Sequence, residues 1–328
     1  MRSPFQASAG GAVPAELRGA VVAIGNFDGV HCGHQAVLGH ATSIARETGR
    51  KALALTFEPH PRTFFVPDKP IFRLTPRLQK RRLFAAIGLD GAVEMDFDAG
   101  LAAMPADDFI ADVLRDRLAA AHVVAGFDFH FGKGRTGSPA TLVEAGPAMG
   151  FGVTIEEAHG DDGGTVFSSS AVRVMLGDGA VGEAAEMLGY HWFVAGEVLH
   201  GEKRGRTLGY PTANMALAPE CTLRHGVYAV FARHEGRVLP GVASFGRRPQ
   251  FDNGAPLLET FLFDFDGDLY GTSPEIAFIS FIRDEMRFDG VDALVARMDE
   301  DSAAARAAFA ALRLTAIDRF LAGGPAVA

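Results

Sequence analysis

Two histidines, three residues apart, are the first feature of the sequence that could do chemistry. His31 and His34 lie in the segment IGNFDGVHCGH, between an apolar run and a segment of helical period. At the start of a helix this spacing puts both side chains on one face. Both imidazoles could then donate hydrogen bonds to an oxygen that gains negative charge, which stabilises phosphoryl-transfer transition states. The segment therefore predicts a phosphate site, although neither G-x-G-x-x-G nor the P-loop pattern fits it.

The same histidines allow two other interpretations. His31, Cys32 and His34 are all potential metal ligands, although Cys32 would point elsewhere on a helix and no complementary ligand pair is evident. The histidines could also serve only to cap the helix. The residues alone leave these alternatives open.

A second candidate phosphate site lies in the segment GRTLGYPTAN, residues 205–214. Thr212 and Asn214 offer two oxygens, which are hard ligands suited to Mg²⁺ and its phosphates. Pro211 restricts the loop in front of them. The alternative is a polar turn before a strand, since Pro, Thr and Asn are ordinary turn residues.

One carboxylate occurs on an apolar strand face. The segment LLETFLFDF, residues 257–265, has the composition of a strand, and its period of two puts Glu259 on the face of Leu257, Phe261, Phe263 and Phe265. A carboxylate there is costly unless it is paired or functional. Exposure at a strand end is the alternative.

The elements around the histidines follow an alternating rhythm. Between residues 19 and 158, short apolar runs alternate with helical segments, which predicts βαβ units and a parallel, doubly wound sheet. The first helix is expected near residues 33–48, and another after Pro105, burying Phe109, Ile110, Val113, Leu114 and Leu118. Phosphates bind where strands of such sheets end and helices begin.

After His191 the rhythm changes to apolar runs separated by Gly, Pro and Asp-Gly, which predicts an antiparallel sandwich or barrel. Asp266-Gly267 predicts a hairpin turn, and residues 291–322 have the spacing of a terminal helix. We therefore expect a flexible segment at 1–18, an α/β domain at 19–189 and an antiparallel β-barrel domain with a terminal helix at 190–322.

Composition excludes several classes of protein. The 328 residues suffice for about two domains. The net charge of −9 disfavours nucleic-acid and membrane-surface binding. No apolar stretch approaches the roughly 18 to 20 residues of a membrane span, and the N-terminus lacks a signal-peptide core. The 2 cysteines lie far apart, so we expect a cytoplasmic protein without a disulfide.

Four motifs of the first half resemble one family. GNFDGVHCGH resembles the nucleotidyltransferase signature of prokaryotic bifunctional riboflavin kinase/FAD synthetases. FEPHP at 57–61, GFDFHFG at 126–132 and SSSAVR at 168–173 resemble three further motifs of that family. Ser170 stands where threonine is usual, and the hydroxyl is kept. The resemblance implies an FMN adenylyltransferase domain at 19–189.

The second half resembles the kinase part of the same family. GRTLGYPTAN resembles the riboflavin kinase signature, and Glu259 lies upstream of DFDGDLYG as the family's catalytic base does. The loop GRRPQF departs from the family pattern at Gln250. The resemblance extends from about residue 19 to 312, and it implies a riboflavin kinase domain at 190–322.

The resemblance implies two ATP-dependent steps: phosphorylation of riboflavin to FMN, then adenylyl transfer to FMN, giving FAD and pyrophosphate. It assigns catalysis to His31, His34 and Glu259, and a Mg²⁺ cofactor to Thr212 and Asn214. The implied ATP- and phosphate-binding positions are Gly25, Phe27, Gly29, Gly33, Ser169, Ser170, Arg173, Gly205, Arg206, Gly209, Pro211, Thr212 and Asn214. The implied flavin-binding positions are Pro59, His60, Pro61, Asp128 and Phe129.

The expected partners are therefore the small molecules riboflavin, FMN, FAD and ATP, with no nucleic acid, no membrane and at most a weak homo-oligomer. Two other function classes stay open at this point. An enzyme with only the adenylyltransferase working would make FAD from FMN but not from riboflavin. A non-catalytic protein would bind flavin without consuming ATP.

Overall fold

A computed structural model describes residues 4–160, 166–199, 209–247 and 256–323. The chain divides into two units, one ending at Ser168 and the other beginning at Ser169. Each unit is built around a six-stranded sheet. The predicted fold class, an α/β domain followed by an antiparallel β domain, is confirmed.

The sheet of the first unit is parallel. Its strands are β1 (Gln6–Ser8), β2 (Val21–Ile24), β3 (Ala52–Glu58), β4 (Gly91–Asp96), β5 (His122–Gly126) and β6 (Gly152–Glu156). Their order is β1-β4-β3-β2-β5-β6. The chain runs outward from β2 to β3 and β4, and then returns to β5 on the other side. The carboxyl end of β2 is thus the topological switch point at which doubly wound sheets bind ligands.

Helices connect these strands, and the apolar spacing predicts two of them, one near residues 33–48 and one after Pro105. They are α1 (Cys32–Glu47), α2 (Pro61–Phe65), α3 (Arg77–Ile87), α4 (Ala99–Ala103), α5 (Ala106–Asp108) and α6 (Pro139–Met149). The helix expected after Pro105 begins there as α5 and continues with π-helical hydrogen bonding over Phe109–Arg117. The five apolar side chains expected to be buried by it are buried.

The first residues of the chain differ from the expectation of a flexible segment. Gln6–Ser8 pairs in parallel with Gly91–Val93 of β4, and the amide of Gln6 bonds to the carbonyl of Asp90. The segment thereby covers the edge of the sheet. A strand of three residues has too little apolar periodicity to be recognised from sequence.

The second unit contains an antiparallel sheet of β7 (Phe193–Ala195), β8 (Ala213–Ala216), β9 (Gly226–His234), β10 (Arg237–Arg247), β11 (Pro256–Leu262) and β12 (Glu275–Arg283). The order is β7-β12-β9-β10-β11-β8. Leu199, four residues beyond β7, forms an antiparallel bridge to Asn214 in β8. This bridge joins the two ends of the sheet, so the sheet curls into a barrel.

The hairpin prediction at Asp266-Gly267 is wrong, because β11 and β12 are not neighbours in the sheet. The tight hairpin connects β9 to β10 through Glu235 and Gly236, with φ values of +48° and +73°. Two positive φ angles match a two-residue primed turn, which follows the twist of the strands. An Asp-Gly pair forms such a turn only where its flanking strands can pair.

Four helices belong to the second unit in the part of the chain that the structure describes: α7 (Ser169–Asp178), α8 (Val181–Leu188), α9 (Val291–Ala311) and α10 (Ala316–Gly323). Helix α7 packs against α8, and α8 packs against β12. The division between the units therefore falls before α7, whereas we predicted a boundary at residue 189. The 189/190 functional boundary stays a prediction.

A buried ion network attaches α10 to the barrel. The carboxylate of Asp318 is fully buried and bonds to the imidazole of His191 (2.7 Å) and to Arg233 (3.3 Å). Arg233 also pairs with Glu275 at 2.8 Å. In the described parts of the chain, no helix combines the length and apolar character needed to span a bilayer.

Candidate functional sites

The two histidines lie together at the N-terminus of α1. His31 is the N-cap, and its Nδ1 accepts a hydrogen bond from the backbone N–H of His34 at 3.4 Å. Their rings stack with centroids 3.7 Å apart and an interplanar angle of 22°. The capping interpretation is thus correct for His31. It is compatible with a phosphate site, because the cap leaves Nε2 available as a donor.

Both histidines are neutral at pH 7. Burial lowers the pKa of His31 to about 4, against the opposing charge of Asp28. Burial, the charge of His31 and that of Lys80 hold the pKa of His34 well below its usual range. Because His31 Nδ1 is an acceptor, the proton of that ring is on Nε2. The buried Nδ1 of His34 has no hydrogen-bond partner among the described residues, as expected of a side chain that serves a ligand.

Glycines and one aromatic ring fit closely around this pair. Phe27 is 1% exposed, and its ring packs edge-on against His34 at 5.4 Å. A Cβ on Gly25 would lie 3.0 Å from the Phe27 ring, and one on Gly33 would lie 3.3 Å from the His31 ring. Gly29 has a φ of +83°, which a side chain would strain. Phe27 and Gly33 thus pack against the histidine rings, and Gly25 leaves room for Phe27, while phosphate binding by these residues and by Gly29 stays a prediction.

A buried charged cluster below this loop was not foreseen. We define the charge cluster as Asp28, Glu58, Arg73 and Lys80. Glu58 pairs with Arg73 at 2.8 Å and with Lys80 at 3.0 Å, and Asp28 lies 3.7 Å from Arg73. Burial alone would raise the pKa of Glu58, but its hydrogen bonds and its two cationic neighbours lower it to about 2.

The sequence does carry a signal for this cluster. Lys80 precedes the buried residues Leu83 and Phe84 of α3 by three and four positions, so it shares their apolar face. A charge on such a face is costly unless it is paired. The same reasoning that singled out Glu259 would have singled out Lys80.

The predicted flavin-binding residues lie at the ends of the strands that flank β2. Pro59, His60 and Pro61 follow β3, where the Glu58–Pro59 peptide is cis. His60 Nδ1 caps α2 by accepting from the N–H of Arg62 at 3.1 Å. This hydrogen bond gives His60 a structural role at the start of α2, and the flavin contact of the P-H-P motif stays a prediction.

The second group of predicted flavin-binding residues follows β5. Phe127 is 48% exposed and Asp128 is exposed. Phe129 is half-buried and stacks on Phe131, with centroids 5.6 Å apart. Because β3 and β5 both neighbour β2 in a parallel sheet, both groups lie at the carboxyl ends of the strands, where the histidines also lie.

The predicted triphosphate residues of the S-S-S-A-V-R motif begin the second unit. Ser169, Ser170 and Arg173 lie in the first turns of α7, and Arg173 donates to the carbonyl of Ser169 at 3.1 Å. Ser170 is exposed. Their phosphate-binding role stays a prediction.

The predicted residues of the second site meet across two strands. Glu259 of β11 and Asn214 of β8 are direct partners in the antiparallel register. Glu259 is half-buried and shares its strand face with Leu257 and Phe261, whereas Leu258 and Thr260 point to the more buried side. Period two therefore predicted correctly that Glu259 shares a face with Leu257 and Phe261, whereas Phe263 and Phe265, also expected on that face, lie beyond the end of β11.

A buried oxygen of this second site fits a cation. Asn214 is 8% exposed, and its Oδ1 has no hydrogen-bond partner in the described parts of the chain. Thr212, half-buried, lies just before β8. Amide and hydroxyl oxygens are the ligand type that Mg²⁺ takes. Two side chains are also few enough to leave room for water and phosphate oxygens, as Mg²⁺ requires.

The loop before these residues is attached to α9. The hydroxyl of Tyr210 donates to the carboxylate of Asp299, and its ring packs on Phe261 at 4.9 Å. Pro211 and Gly209 are exposed. The predicted residues Gly205 and Arg206, and the departure at Gln250, lie outside the described residues.

The alternative of a transition-metal site at the histidines gains no support. Among the described residues, no group of three or more His, Cys, Asp or Glu side chains is arranged to hold a metal ion. Burial also raises the pKa of the Cys32 thiol, which disfavours the thiolate that binds metals.

Comparison with protein families gives two adjacent matches. Residues 13–171 match the model of FAD synthetase, and residues 188–309 match that of riboflavin kinase. The two models cover nearly all of the chain. Most of α7 and nearly all of α8 lie between them.

Curated relatives match over nearly their whole length. A bifunctional riboflavin kinase/FMN adenylyltransferase of Escherichia coli K12 is 38% identical over 90% of this chain and 94% of the relative. A protein of the same name from Pseudomonas fluorescens is 40% identical over 89% and 94%. One from Bacillus subtilis is 36% identical over 89% and 93%.

A solved structure shares the architecture. A crystal structure described as a macrolide-efflux protein from Streptococcus pneumoniae superimposes with a TM-score of 0.80 and 29% identity, covering 92% of this chain and 98% of the other. The efflux description belongs to that protein alone. The similarity shows a shared fold.

Proposed function

This chain belongs to the family of bifunctional riboflavin kinase/FMN adenylyltransferases, and on that premise we propose which of its residues carry each reaction. The chain phosphorylates riboflavin to FMN with its C-terminal domain and adenylylates FMN to FAD with its N-terminal domain. ATP is the co-substrate of both steps. The assignment of the kinase site rests on the cross-strand pairing of Glu259 with Asn214, and that of the adenylyl site rests on the stacking of His31 on His34.

In the kinase step, Glu259 is the general base. The 5′-hydroxyl oxygen of riboflavin bonds to the γ-phosphorus of ATP while the bond from that phosphorus to the β-bridging oxygen breaks. ADP leaves, and the hydroxyl proton passes to the Glu259 carboxylate. The half-buried, apolar surroundings of Glu259 suit it to this role, since a base works best with few competing waters. Orientation and charge neutralisation supply the remainder of the rate enhancement.

Thr212 and Asn214 hold Mg²⁺ through their side-chain oxygens in this proposal. The unpartnered, buried Oδ1 of Asn214 supports it, because a buried acceptor without a donor costs about 1 to 3 kcal/mol. When bound, the cation neutralises phosphate charge. Tyr210, tied to Asp299 on α9, fixes the loop that presents both ligands.

In the adenylyl step, an oxygen of the FMN phosphate attacks the α-phosphorus of ATP, and pyrophosphate leaves. The nucleophile is already anionic, so no general base is needed. His31 donates through Nε2, and His34 donates beside it, to the α-phosphate oxygens as charge grows there. Neutral imidazoles are suited to this role, because they donate a hydrogen bond without losing a proton to the substrate. Ser169, Ser170 and Arg173 hold the leaving phosphates.

The flavin-binding assignment rests on the position of the assigned residues at the carboxyl ends of the strands that neighbour β2. Pro59, His60 and Pro61 after β3, and Asp128 and Phe129 after β5, flank the histidine loop. The exposed ring of Phe127 adds flat apolar surface beside Asp128. An isoalloxazine ring would pack on such surfaces.

The setting that we propose is the cytoplasm, without nucleic-acid or membrane partners and with at most weak self-association. The net charge of −9 supports this. Neither Cys32 nor Cys221 is in a disulfide, as suits a reducing compartment.

The test is to incubate the protein with riboflavin, ATP and Mg²⁺ and to separate FMN and FAD by chromatography. Glu259→Gln should lower riboflavin phosphorylation about 10²- to 10⁴-fold and leave conversion of FMN to FAD intact. His31→Ala should lower FMN adenylylation about 10²- to 10³-fold and leave the kinase intact. Loss of both activities in either variant would contradict the two-site assignment.

A further inference from the structure

A buried lysine that is not among the predicted site residues lies where two loops of the adenylyl site meet. Lys80 of α3 is 1% exposed. Its Nζ lies 3.3 Å from the carbonyl oxygen of Asn26, 3.1 Å from Thr56 Oγ1 and 3.0 Å from Glu58 Oε1. Asn26 begins the loop that leads to His31, and Glu58 directly precedes the P-H-P loop. One ammonium group therefore joins the histidine loop to the end of β3, which leads into the P-H-P loop.

The other members of the charge cluster fix the same histidine loop further along. Arg73 makes two hydrogen bonds to Glu58, at 2.8 and 2.9 Å, and lies 3.7 Å from the carboxylate of Asp28. Asp28 also accepts from the N–H of Thr75 at 3.2 Å, and Thr75 Oγ1 accepts from the N–H of Gly29 at 2.8 Å. The loop is held at successive residues just before the histidines.

Stability alone is a weak reason for a charge at this position. An apolar side chain would suit the face that Lys80 shares with Leu83 and Phe84, and replacing a buried ion pair by apolar residues is often neutral or stabilising. A buried charge beside a site that binds anions is instead typical of functional positions. The cluster contains two cations and two anions, so its formal charges balance.

We propose that Lys80 is a positioning residue for adenylyl transfer, whose ammonium joins the Asn26 loop to Glu58 and thereby sets the placement of His31 and His34. This inference rests on the proposed function of the two histidines. Lys80 itself touches no substrate, since it is buried behind the loop. A misplacement of about 1 Å of such donors costs on the order of 10²-fold in rate.

The electrostatics agree with this geometry. Two groups act on the titration of His34: the imidazole of His31, from the loop, and the ammonium of Lys80, from α3. Both add to burial in lowering the pKa of His34, while Asp28 acts in the opposite sense on His31. Lys80 thus helps to keep His34 an uncharged donor.

The test uses the full chain and a charge-balanced variant. Lys80→Met removes the ammonium at similar length, but leaves Glu58 with less compensation. The double variant Lys80→Met/Glu58→Gln removes one charge of each sign and keeps the remaining pair of Arg73 with Asp28. The matched control is Glu94→Gln, which weakens the ion pairs that the buried Glu94 of β4 forms with Arg77 and Arg81 of the same helix, α3.

We expect FMN adenylylation to fall about 10- to 100-fold in both Lys80 variants, and to change less than about twofold in the control. Riboflavin phosphorylation should be unchanged in all three. A titration of the histidine ring protons by NMR should place the pKa of His34 higher in Lys80→Met than in the parent chain. That shift reports the charge of Lys80 near His34, whereas a fall in adenylylation by a folded double variant reports positioning, because a purely structural role would act only through unfolding.

Near-parental adenylylation in the double variant would overturn the proposal. So would an unfolded first unit in that variant, because Lys80 would then serve stability. The parent chain and His31→Ala are measured alongside. If the parent does not adenylylate FMN, or if His31→Ala still does, the proposed function fails instead, and the two failures are distinguished.

Discussion

The burial of His31 predicts that the first unit loses stability in mild acid. Its folded pKa is about 4, whereas an unfolded histidine titrates near 6.5. Between these values the unfolded state binds more protons, so the free energy of unfolding rises with pH. The stabilising contribution of the buried, neutral His31 to the free energy of unfolding is fully present above about pH 6.5. It decreases as the pH falls below that value and is lost once the pH has fallen through about 4.

The size of the effect follows from the difference of about 2.5 pKa units. At 1.36 kcal/mol per unit, the loss below pH 4 is about 3 kcal/mol. His34, whose pKa is also lowered, adds to the loss in acid. Glu58 acts in a separate window, because its pKa of about 2 lies below its usual 4.5. Its contribution is lost only as the pH falls below about 4.5.

The assay is urea unfolding between pH 7 and pH 5, followed by two signals. Far-UV circular dichroism reports both units, whereas the single tryptophan, Trp192, lies in the second unit and reports that unit alone. His31→Gln removes the titrating group, so its free energy of unfolding should depend less on pH than that of the parent. The surface variant His130→Gln is the control.

Two results would refute this reasoning. Equal pH dependence in the parent and in His31→Gln would mean that the imidazole titrates normally. A pH dependence carried by the tryptophan signal would locate the effect in the other unit. A constant difference in the free energy of unfolding between the parent and His31→Gln is expected at every pH, because the variant loses the N-cap of α1. Only the slope of the free energy of unfolding against pH tests the prediction.

Three further predictions concern the second unit. Asn214→Leu removes an oxygen ligand, so the Mg²⁺ concentration for half-maximal riboflavin phosphorylation should rise about tenfold or more, while FMN adenylylation at the same Mg²⁺ serves as the control. Asp318→Asn removes the buried charge that His191 and Arg233 share, leaving Arg233 with Glu275 alone, and should lower the free energy of unfolding, read from Trp192 fluorescence, by about 3 to 5 kcal/mol; a loss below 1 kcal/mol would contradict the network's importance. Gly236→Ala forces a side chain to a φ of +73° and should cost about 1 kcal/mol in the same measurement, and an unchanged midpoint would rule out strain in this turn.

Strands β2 to β6 and helix α1 of the first unit were predictable because a single hydrophobic period covers each of them. The apolar runs of β2 to β6 and the stripe of α1 are long enough for periodicity to identify them. The same holds for the face of Glu259. Its neighbour Asn214 was identified separately, but their pairing was not, because cross-strand register depends on contacts distant in sequence.

The parts that sequence missed depend on tertiary partners. Gln6–Ser8 becomes a strand only because β4 offers an edge. Asp266-Gly267 has the residues of a hairpin turn, but its flanking strands have other neighbours. Lys80 lies on the apolar face of α3, but its partner Glu58, 22 residues earlier in sequence and 3.0 Å away, is set by the fold. In each case, the local sequence is compatible with more than one structure, and a contact with a residue distant in sequence determines which one forms.

The pairing of Glu259 with Asn214 also bears on how this chain can tolerate insertions. The two residues are 45 positions apart in sequence, yet their distance is set by the ladder between β8 and β11 and not by the segments that connect these strands. Chain added to a surface loop costs little, about 0.6 kcal/mol for each doubling of its length. A slip by one residue in the ladder would instead turn one member of the pair to the opposite face. Length variation among descendants of this sequence should therefore accumulate between the two strands, while the strands themselves keep their register.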